Sequence, residues 1–204
     1  MEELGEWQRT HYSKEITSSM NNQTVIVMGW VREIRNIGKL AFIKLADREG
    51  WIQIKLKHGE VNPDLFKKLN KIGREFVIAV KGTVSANKEA SGGREIIPNE
   101  IKILNEAESP LPLEIETKKT PAELKTRLDA RFLDLRKPEV SAIFRIAGSL
   151  KSSFLKYFDD QKFINVSTPV IVAAATEGGA NLFPVKYFDK EAYLSQSPQL
   201  YKQI

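Results

Sequence analysis

The amino-acid sequence predicts an α+β protein, with a five-stranded β-barrel in its N-terminal half and helices mixed with short strands after it. Three observations support this prediction: β-branched runs between residues 24 and 105, a proline-rich stretch over 106–121, and helical patterns beyond it. A chain of 204 residues is long enough to form two small domains with separate cores. We therefore expect a barrel domain over 1–106, a linker over 107–121 and a second domain over 122–204.

The barrel prediction rests on the order of its elements: three strands, one helix and two strands. The helix is expected in NPDLFKKLNKI, with Asn62 as its N-cap and Pro63 at its first position. Gly29, near the middle of the first strand, predicts a bend or bulge. This order is that of an OB-fold, a Greek-key barrel; an SH3-like barrel or a small sandwich is the alternative. The strands are expected over 24–37, 39–47, 50–57, 75–87 and 95–105.

Side-chain alternation on the second and third strands predicts which residues face outward. The outward set is Phe42, Lys44, Trp51, Gln53 and Lys55, and the inward set is Ala41, Ile43, Leu45, Ile52, Ile54 and Leu56. OB-folds bind single-stranded nucleic acid on this face, where bases stack on aromatic rings and cations meet phosphates. The alternative is that Phe42 packs under a loop and the lysines form a solvated surface.

Charge and composition favour a nucleic-acid-binding protein. The net charge is +5, and residues 9–57 contain nine Lys or Arg against four acids, which indicates a phosphate-bearing partner for the barrel. The chain has no cysteine, which excludes disulfides, and we expect a cytoplasmic location. No apolar run approaches the roughly 18 residues that span a bilayer. His11 and His58 are isolated, so we expect surface or capping roles and no metal site.

Two helices and a strand are expected after the linker. The first helix begins with Thr120 as its cap, Pro121 in its first turn and Glu123 completing a capping box. A longer amphipathic helix follows Pro138, and a strand interrupted at Pro169 comes after it. The apolar face of the first helix is Leu124, Leu128, Phe132 and Leu135; that of the second is Val140, Ile143, Phe144, Ala147, Leu150, Phe154 and Phe158.

The last part of the chain combines groups that suit an amino-acid pocket. Glu177, before two glycines, places a carboxylate in a loop where it can accept hydrogen bonds from an ammonium group. Gln199 and Lys202 share one face if the segment from Pro198 is helical, and the lysine can meet a carboxylate. A charged surface loop followed by a helix end is the alternative interpretation.

Five segments, in order along essentially the whole chain, resemble the aspartyl-tRNA synthetases of archaeal and eukaryotic type, which are class II enzymes. They are RTHYSKEIT, GWVREIRNIGKLAFIKLADREGWIQI, RFLDLRKPEV, TEGGANLFPVKYF and AYLSQSPQLYKQ. The resemblance implies an OB-fold that reads the anticodon, followed by the start of a class II synthetase antiparallel-sheet catalytic domain. That domain activates aspartate with ATP and passes it to the tRNA.

The resemblance also implies roles for individual residues. Phe42 matches the aromatic on which an anticodon base stacks, and Gln53 and Glu95 match polar contacts to the anticodon. Arg32 and the loop NKEASGG lie where strict tRNA-Asp readers differ from enzymes that also accept tRNA-Asn. The helix from Pro138 and the strand up to Pro169 resemble the first class II motif, which forms the dimer interface. The aspartate-binding residues would be Glu177, Ser197, Gln199 and Lys202.

The residues that hold ATP and Mg²⁺ in this family belong to motifs that do not occur before Ile204. We therefore expect the front half of a homodimeric enzyme whose substrates are L-aspartate and either tRNA-Asp alone or tRNA-Asp together with tRNA-Asn. The 204 residues are expected to bind tRNA without catalysis. The alternatives are a stand-alone tRNA- or single-strand-binding OB module and an asparaginyl-tRNA synthetase-like paralogue. Lys202 disfavours the paralogue, because a cation that faces a neutral amide lacks a partner.

Overall fold

The computed structural model describes residues 1–115, 122–173 and 183–204. Contacts divide the chain into two compact units, Met1–Val140 and Ser141–Ile204. The predicted helix cap at Thr120 and Pro121 lies outside the described residues, and so does Glu177. Within the described ranges, no helix has the length and hydropathy needed to cross a membrane.

The first unit contains the expected barrel. Its strands are β1 (Thr24–Asn36), β2 (Leu40–Ala46), β3 (Trp51–Lys57), β4 (Val77–Ala86) and β5 (Arg94–Asn105). They pair in the closed order β1-β2-β3-β5-β4, and β4 pairs back to β1. The β3–β5 seam is the parallel pair Ile54–Ile96, whereas the other neighbours run antiparallel. The helix α1 (Pro63–Leu69) lies between β3 and β4, and Asn62 caps it by accepting a hydrogen bond from the Asp64 amide.

Inward-facing aliphatic side chains fill the barrel, as the alternation predicts. Ala41, Ile43, Ile54 and Leu56 are fully buried. The irregularity expected near the middle of β1 is present, but the register shifts between Val31 and Glu33 and not at Gly29. Gly29 serves a close approach of strands, since a Cβ there would lie 2.1 Å from the Ala46 carbonyl oxygen.

The single helix predicted after the linker is two short helices in the structure, α2 (Leu124–Asp129) and α3 (Arg131–Asp134). Ala130 separates them with φ −108° and ψ 40°. The break allows Ala130 and Leu133 to pack with Leu113 and Ile115 in a small core of the first unit. The predicted apolar face is exposed: Leu124, Leu128, Phe132 and Leu135 are 62%, 53%, 60% and 39% accessible.

A long helix and a three-stranded sheet account for the rest of the described chain. The helix α4 (Pro138–Asp160) has the predicted extent, and the strands are β6 (Ile171–Val172), β7 (Pro184–Tyr187) and β8 (Lys190–Leu194) in the order β6-β8-β7. The short helix α5 (Gln199–Gln203) follows. The predicted strand before Pro169 is not formed: residues 163–168 have no ladder partner, and β6 begins only at Ile171. The antiparallel sheet expected after the helices is nevertheless present.

Candidate functional site

A cavity of about 440 Å³ opens on the outer face of the barrel. We call it the Phe42 cavity. It lies where β1, β2 and β3 meet the loop between β4 and β5, and both Phe42 and Gln53 line it. The complete lining is Glu33, Arg35, Ile37, Phe42, Ile43, Lys44, Trp51, Gln53, Glu89 and Ser91. An aromatic ring, an amide and two cations therefore share one opening, which suits a base attached to a phosphate backbone.

The strand register explains why these side chains meet. Phe42 pairs with Lys55, Lys44 pairs with Gln53, and Ala46 pairs with Trp51, so outward-facing residues of β2 and β3 form adjacent rows. The Lys44 ammonium lies 4.8 Å from the Trp51 ring centroid, a cation–π distance. This contact holds a cation beside the aromatic part of the cavity.

Glu95 lies behind Gln53 and is fully buried, outside the cavity lining. Its carboxylate accepts hydrogen bonds from Gln53 Nε2 at 2.9 Å, Lys55 Nζ at 3.1 Å and Asn87 Nδ2 at 3.1 Å. Because Nε2 donates to Glu95, the Gln53 amide is held in a defined orientation. Glu95 thus connects β3, β5 and the loop between β4 and β5.

The cavity also contains a negative side chain. Glu33 accepts a hydrogen bond from Arg35 Nε at 2.6 Å, and this bond lowers the pKa of the Glu33 carboxyl. The lining includes a second acid, Glu89, so its charge is mixed and not uniformly basic. Mixed charge of this kind favours recognition of base edges over simple attraction of phosphates.

Arg32 does not reach the Phe42 cavity. The register shift after Val31 leaves Arg32 buried, and its guanidinium donates to Glu75 in the segment between α1 and β4. The structure therefore brings Phe42 and Gln53 together with Glu95 behind them, and places Arg32 elsewhere. Its suggested part in anticodon recognition stays a prediction.

Sequence reasoning missed Glu33, Arg35, Ile37, Glu89 and Ser91 as lining residues. The last two belong to the loop NKEASGG, which the sequence marked only as variable. A loop between adjacent strands of an OB-fold commonly borders the binding face, so its position was the available signal. Ile37 is 68% exposed at the end of β1, where an apolar side chain without cover is the clue.

The N-terminal segment adds a feature that the sequence did not indicate. The Tyr12 ring lies between two guanidinium groups, with Arg9 Cζ and Arg48 Cζ at 4.4 and 4.5 Å from its centroid. The Ser13 amide and hydroxyl both donate to Asp47, at 2.6 and 2.8 Å. The segment is thereby fixed to the turn between β2 and β3.

The second unit contains three of the four predicted aspartate-binding residues, because Glu177 is outside the described residues. Ser197 Oγ accepts a hydrogen bond from the Gln199 amide at 3.2 Å, at the start of α5. Lys202 lines a cavity of about 520 Å³ together with aromatic residues that include Phe154 and Phe163. Ser197 and Gln199 are not in its lining, so the described residues do not form one assembled pocket.

Two family models match the chain, one for each part of the fold. The model described as "OB-fold nucleic acid binding domain" matches residues 25–104, and "tRNA synthetases class II (D, K and N)" matches residues 123–204. Solved structures agree with both. Asparaginyl-tRNA synthetase from Pyrococcus horikoshii is similar at 32% identity and a TM-score of 0.84, over 95% of this chain and 44% of that chain. A putative aspartyl-tRNA synthetase from Leishmania major is similar at 28% identity and a TM-score of 0.84, over 100% and 42%.

These matches agree with the observed architecture, an OB-fold domain followed by the start of a class II synthetase sheet. The curated relatives are more specific. Two aspartate–tRNA(Asp/Asn) ligases, from Methanococcus maripaludis and Methanothermobacter thermautotrophicus, are similar to this chain. Each is 52% identical over 201 residues, which is 98% of this chain. The chain is a homologue of these ligases, which confirms the family resemblance, and it spans about half of their length, 46%.

Proposed function

We propose that the chain forms the anticodon-binding domain and the beginning of the catalytic domain of an aspartate–tRNA ligase. The whole enzyme activates L-aspartate with ATP and transfers it to tRNA-Asp, alone or together with tRNA-Asn. The observation that carries this proposal is the 52% identity to aspartate–tRNA(Asp/Asn) ligases over 98% of the chain. Identity of this extent over both domains also disfavours a stand-alone OB module.

In this proposal the Phe42 cavity receives anticodon bases. Phe42 supplies a ring for stacking, and the Gln53 amide, oriented by Glu95, hydrogen bonds to a base edge. Lys44, which lies in the lining beside Trp51, neutralises a nearby phosphate. Bases in a single-stranded loop can be unstacked and turned into such a cavity, whereas bases in a helix cannot.

The aspartate site would use residues of the second unit. Glu177 accepts hydrogen bonds from the ammonium group, Ser197 and Gln199 hold the substrate by polar contacts, and Lys202 faces the side-chain carboxylate. The short α5 helix supports this assignment, since it places Gln199 and Lys202 one turn apart. A lysine in this position selects against asparagine, because a cation that bound substrate shields from water would lose roughly 2–5 kcal/mol if it faced a neutral amide instead of a carboxylate.

In the whole enzyme, ATP would supply the α-phosphate that the aspartate carboxylate attacks with release of pyrophosphate, and Mg²⁺ would stabilise the charge that develops on the phosphates. Within residues 1–115, 122–173 and 183–204, no group of three or more His, Cys, Asp or Glu side chains is arranged to hold a metal ion, and we assign none of these residues a step. The whole enzyme would act as a cytoplasmic homodimer. The first motif, from Pro138 to Pro169, would contribute to its interface.

The decisive experiment is aspartate-dependent ATP–pyrophosphate exchange by the full-length protein that carries this chain. We expect exchange with aspartate, and the variant Lys202→Ala should raise the aspartate KM by roughly 30-fold or more. Lys190→Ala, an exposed lysine in β8, is the matched control and should leave KM unchanged. Exchange that prefers asparagine would identify the paralogue, and absence of exchange with either amino acid would leave only a binding module.

A further inference from the structure

A buried ionic cluster joins β1 to the residues that precede α4. The Glu75 carboxylate accepts hydrogen bonds from Arg32 and from Arg136 Nη1, the latter at 2.5 Å. The Arg32 and Glu75 side chains are 7% and 4% exposed, and that of Arg136 is 23% exposed. Arg136 Cζ also lies 4.3 Å from the centroid of the Trp30 ring. One carboxylate and one aromatic ring thus hold two guanidinium groups.

Glu75 occupies an unusual backbone conformation. Its φ is +62°, a left-handed value that is unfavourable for a residue with a Cβ. Its amide donates to the Val31 carbonyl at 2.7 Å, and the Val31 amide donates to the Phe76 carbonyl at 2.9 Å. Glycine or asparagine would adopt this conformation more readily, so interactions of the Glu75 side chain must compensate for the cost of the backbone conformation. The carboxylate bound by two arginines supplies that reason.

The charge balance makes Glu75 the centre of the cluster. Removal of its charge would take away the carboxylate that the two guanidinium groups share, and loss of one member of a buried ion pair is strongly unfavourable. Removal of Arg136 would leave the Arg32–Glu75 pair intact within the barrel. Arg136 can therefore be changed to separate the connection from the stability of the barrel.

Two residues of the cluster, Arg32 and Arg136, are each close in sequence to a functional region. Arg32 directly precedes Glu33, which lines the Phe42 cavity, and Arg136 lies two residues before Pro138, where α4 begins. Arg127 and Lys137 further fix this segment through buried Asp134, at 3.2 and 3.4 Å. The strand beside the Phe42 cavity and the start of α4 are thus connected through Glu75.

We propose that Glu75 is a positioning residue that, with Arg32 and Arg136, fixes the start of α4 relative to the strand bordering the Phe42 cavity. Glu75 contacts no substrate in this role. The inference rests on the proposed function in that the bound RNA is a tRNA whose other end must meet the catalytic domain. A small misplacement of reacting groups is enough to slow a reaction strongly, so loss of the connection should reduce transfer to tRNA.

The physical part of the proposal can be tested on the 204-residue chain by hydrogen–deuterium exchange. In Glu75→Gln and Arg136→Gln, the amides of residues 133–137 should exchange about tenfold faster or more, and in Arg136→Gln those of β4 should keep their protection. The matched control is Glu114→Gln, because Glu114 pairs at 2.6 Å with Arg74, the neighbour of Glu75, with both side chains 47% exposed. An unchanged rate at 133–137 in Arg136→Gln overturns the proposal, as does an equal increase in Glu114→Gln.

The functional part is tested on the full-length protein with the same three variants. Arg136→Gln should lower kcat for charging tRNA roughly tenfold to a hundredfold, while pyrophosphate exchange without tRNA and the Kd for tRNA stay within about twofold. Equal losses in charging and exchange would show a merely structural role and overturn the proposal. A full-length protein with no exchange at all refutes the proposed function instead, and the deuterium experiment still decides whether the connection exists.

Discussion

Glu95 shows how one buried side chain organises a surface site. It carries a carboxylate with no exposed area, and three side-chain donors from β3 and the β4–β5 loop compensate for its loss of water. The family resemblance assigned Glu95 to the same site as Gln53, although the strand pattern alone gave no reason to expect a buried acid. In the structure it orients the Gln53 amide from behind, which is a positioning role.

Replacement of Phe42 by alanine tests the proposal that the Phe42 cavity binds RNA. Phe42→Ala should weaken binding of the tRNA anticodon arm by about 1–3 kcal/mol, the usual worth of one base stacked on an aromatic ring. Fluorescence anisotropy with the 204-residue chain measures the loss. Phe188→Ala is the control, since Phe188 is 80% exposed and lies outside the barrel. Equal affinities of Phe42→Ala and the unmodified chain, with the fold intact by circular dichroism, would exclude stacking on Phe42.

Asp134 gives a prediction about pH. Burial acts to raise the pKa of its carboxyl, but the hydrogen bond from Arg127 and the charges of Arg127 and Lys137 outweigh burial, so the pKa lies below its ordinary value of 3.8. The native state therefore binds fewer protons there than the unfolded state does. Its contribution to stability is complete above pH 3.8 and is lost as the pH falls through the native pKa.

We expect Asp134→Asn to reduce the free energy of unfolding at pH 7 by about 1–3 kcal/mol, because charged hydrogen bonds are lost. The difference between the variant and the unmodified chain should shrink in acid, as measured by urea unfolding at several pH values. Asp129→Asn is the control, since the Asp129 side chain is 65% exposed and pairs only with Lys125 in the contacts of α2. A difference that stays constant down to pH 2 would contradict this account.

At the scale of elements, Gly29 and Gly148 provide a matched pair. A Cβ at Gly29 would lie 2.1 Å from the Ala46 carbonyl oxygen, whereas a Cβ at Gly148 in α4 meets nothing within 4 Å. Gly29→Ala should therefore destabilise the barrel by about 1–3 kcal/mol, because β1 and β2 must move apart. Gly148→Ala should be neutral or stabilise its helix by up to about 1 kcal/mol. Thermal unfolding compares them, and equal midpoints would refute the steric explanation.

The strands of the barrel were predictable because their inward residues alternate regularly and because turn residues or a capped helix separate them. Less predictable were features that depend on contacts distant in sequence. The break at Ala130 serves packing on Leu113 and Ile115, and the burial of Arg32 depends on Glu75, 43 residues later. Likewise, the strand expected before Pro169 needs a neighbouring strand, which no local pattern can supply.

For the whole molecule, the exposed apolar side chains of α4 give the final prediction. Ile143, Ile146, Leu150 and Phe154 recur at helical spacing and are 62%, 68%, 70% and 61% exposed. A stripe of this kind exposed to water favours association, and we expect it to pack against a second copy of the chain, as a homodimeric synthetase would require. Light scattering should therefore show dimers or larger species for the 204 residues.

The double substitution Leu150→Glu with Phe154→Glu should shift the chain toward monomer, because a charged side chain is costly to bury. Lys151→Glu, an exposed charge change in the same helix, should leave the association intact. A monodisperse monomer of the unmodified chain at high micromolar concentration would show that the stripe does not mediate self-association.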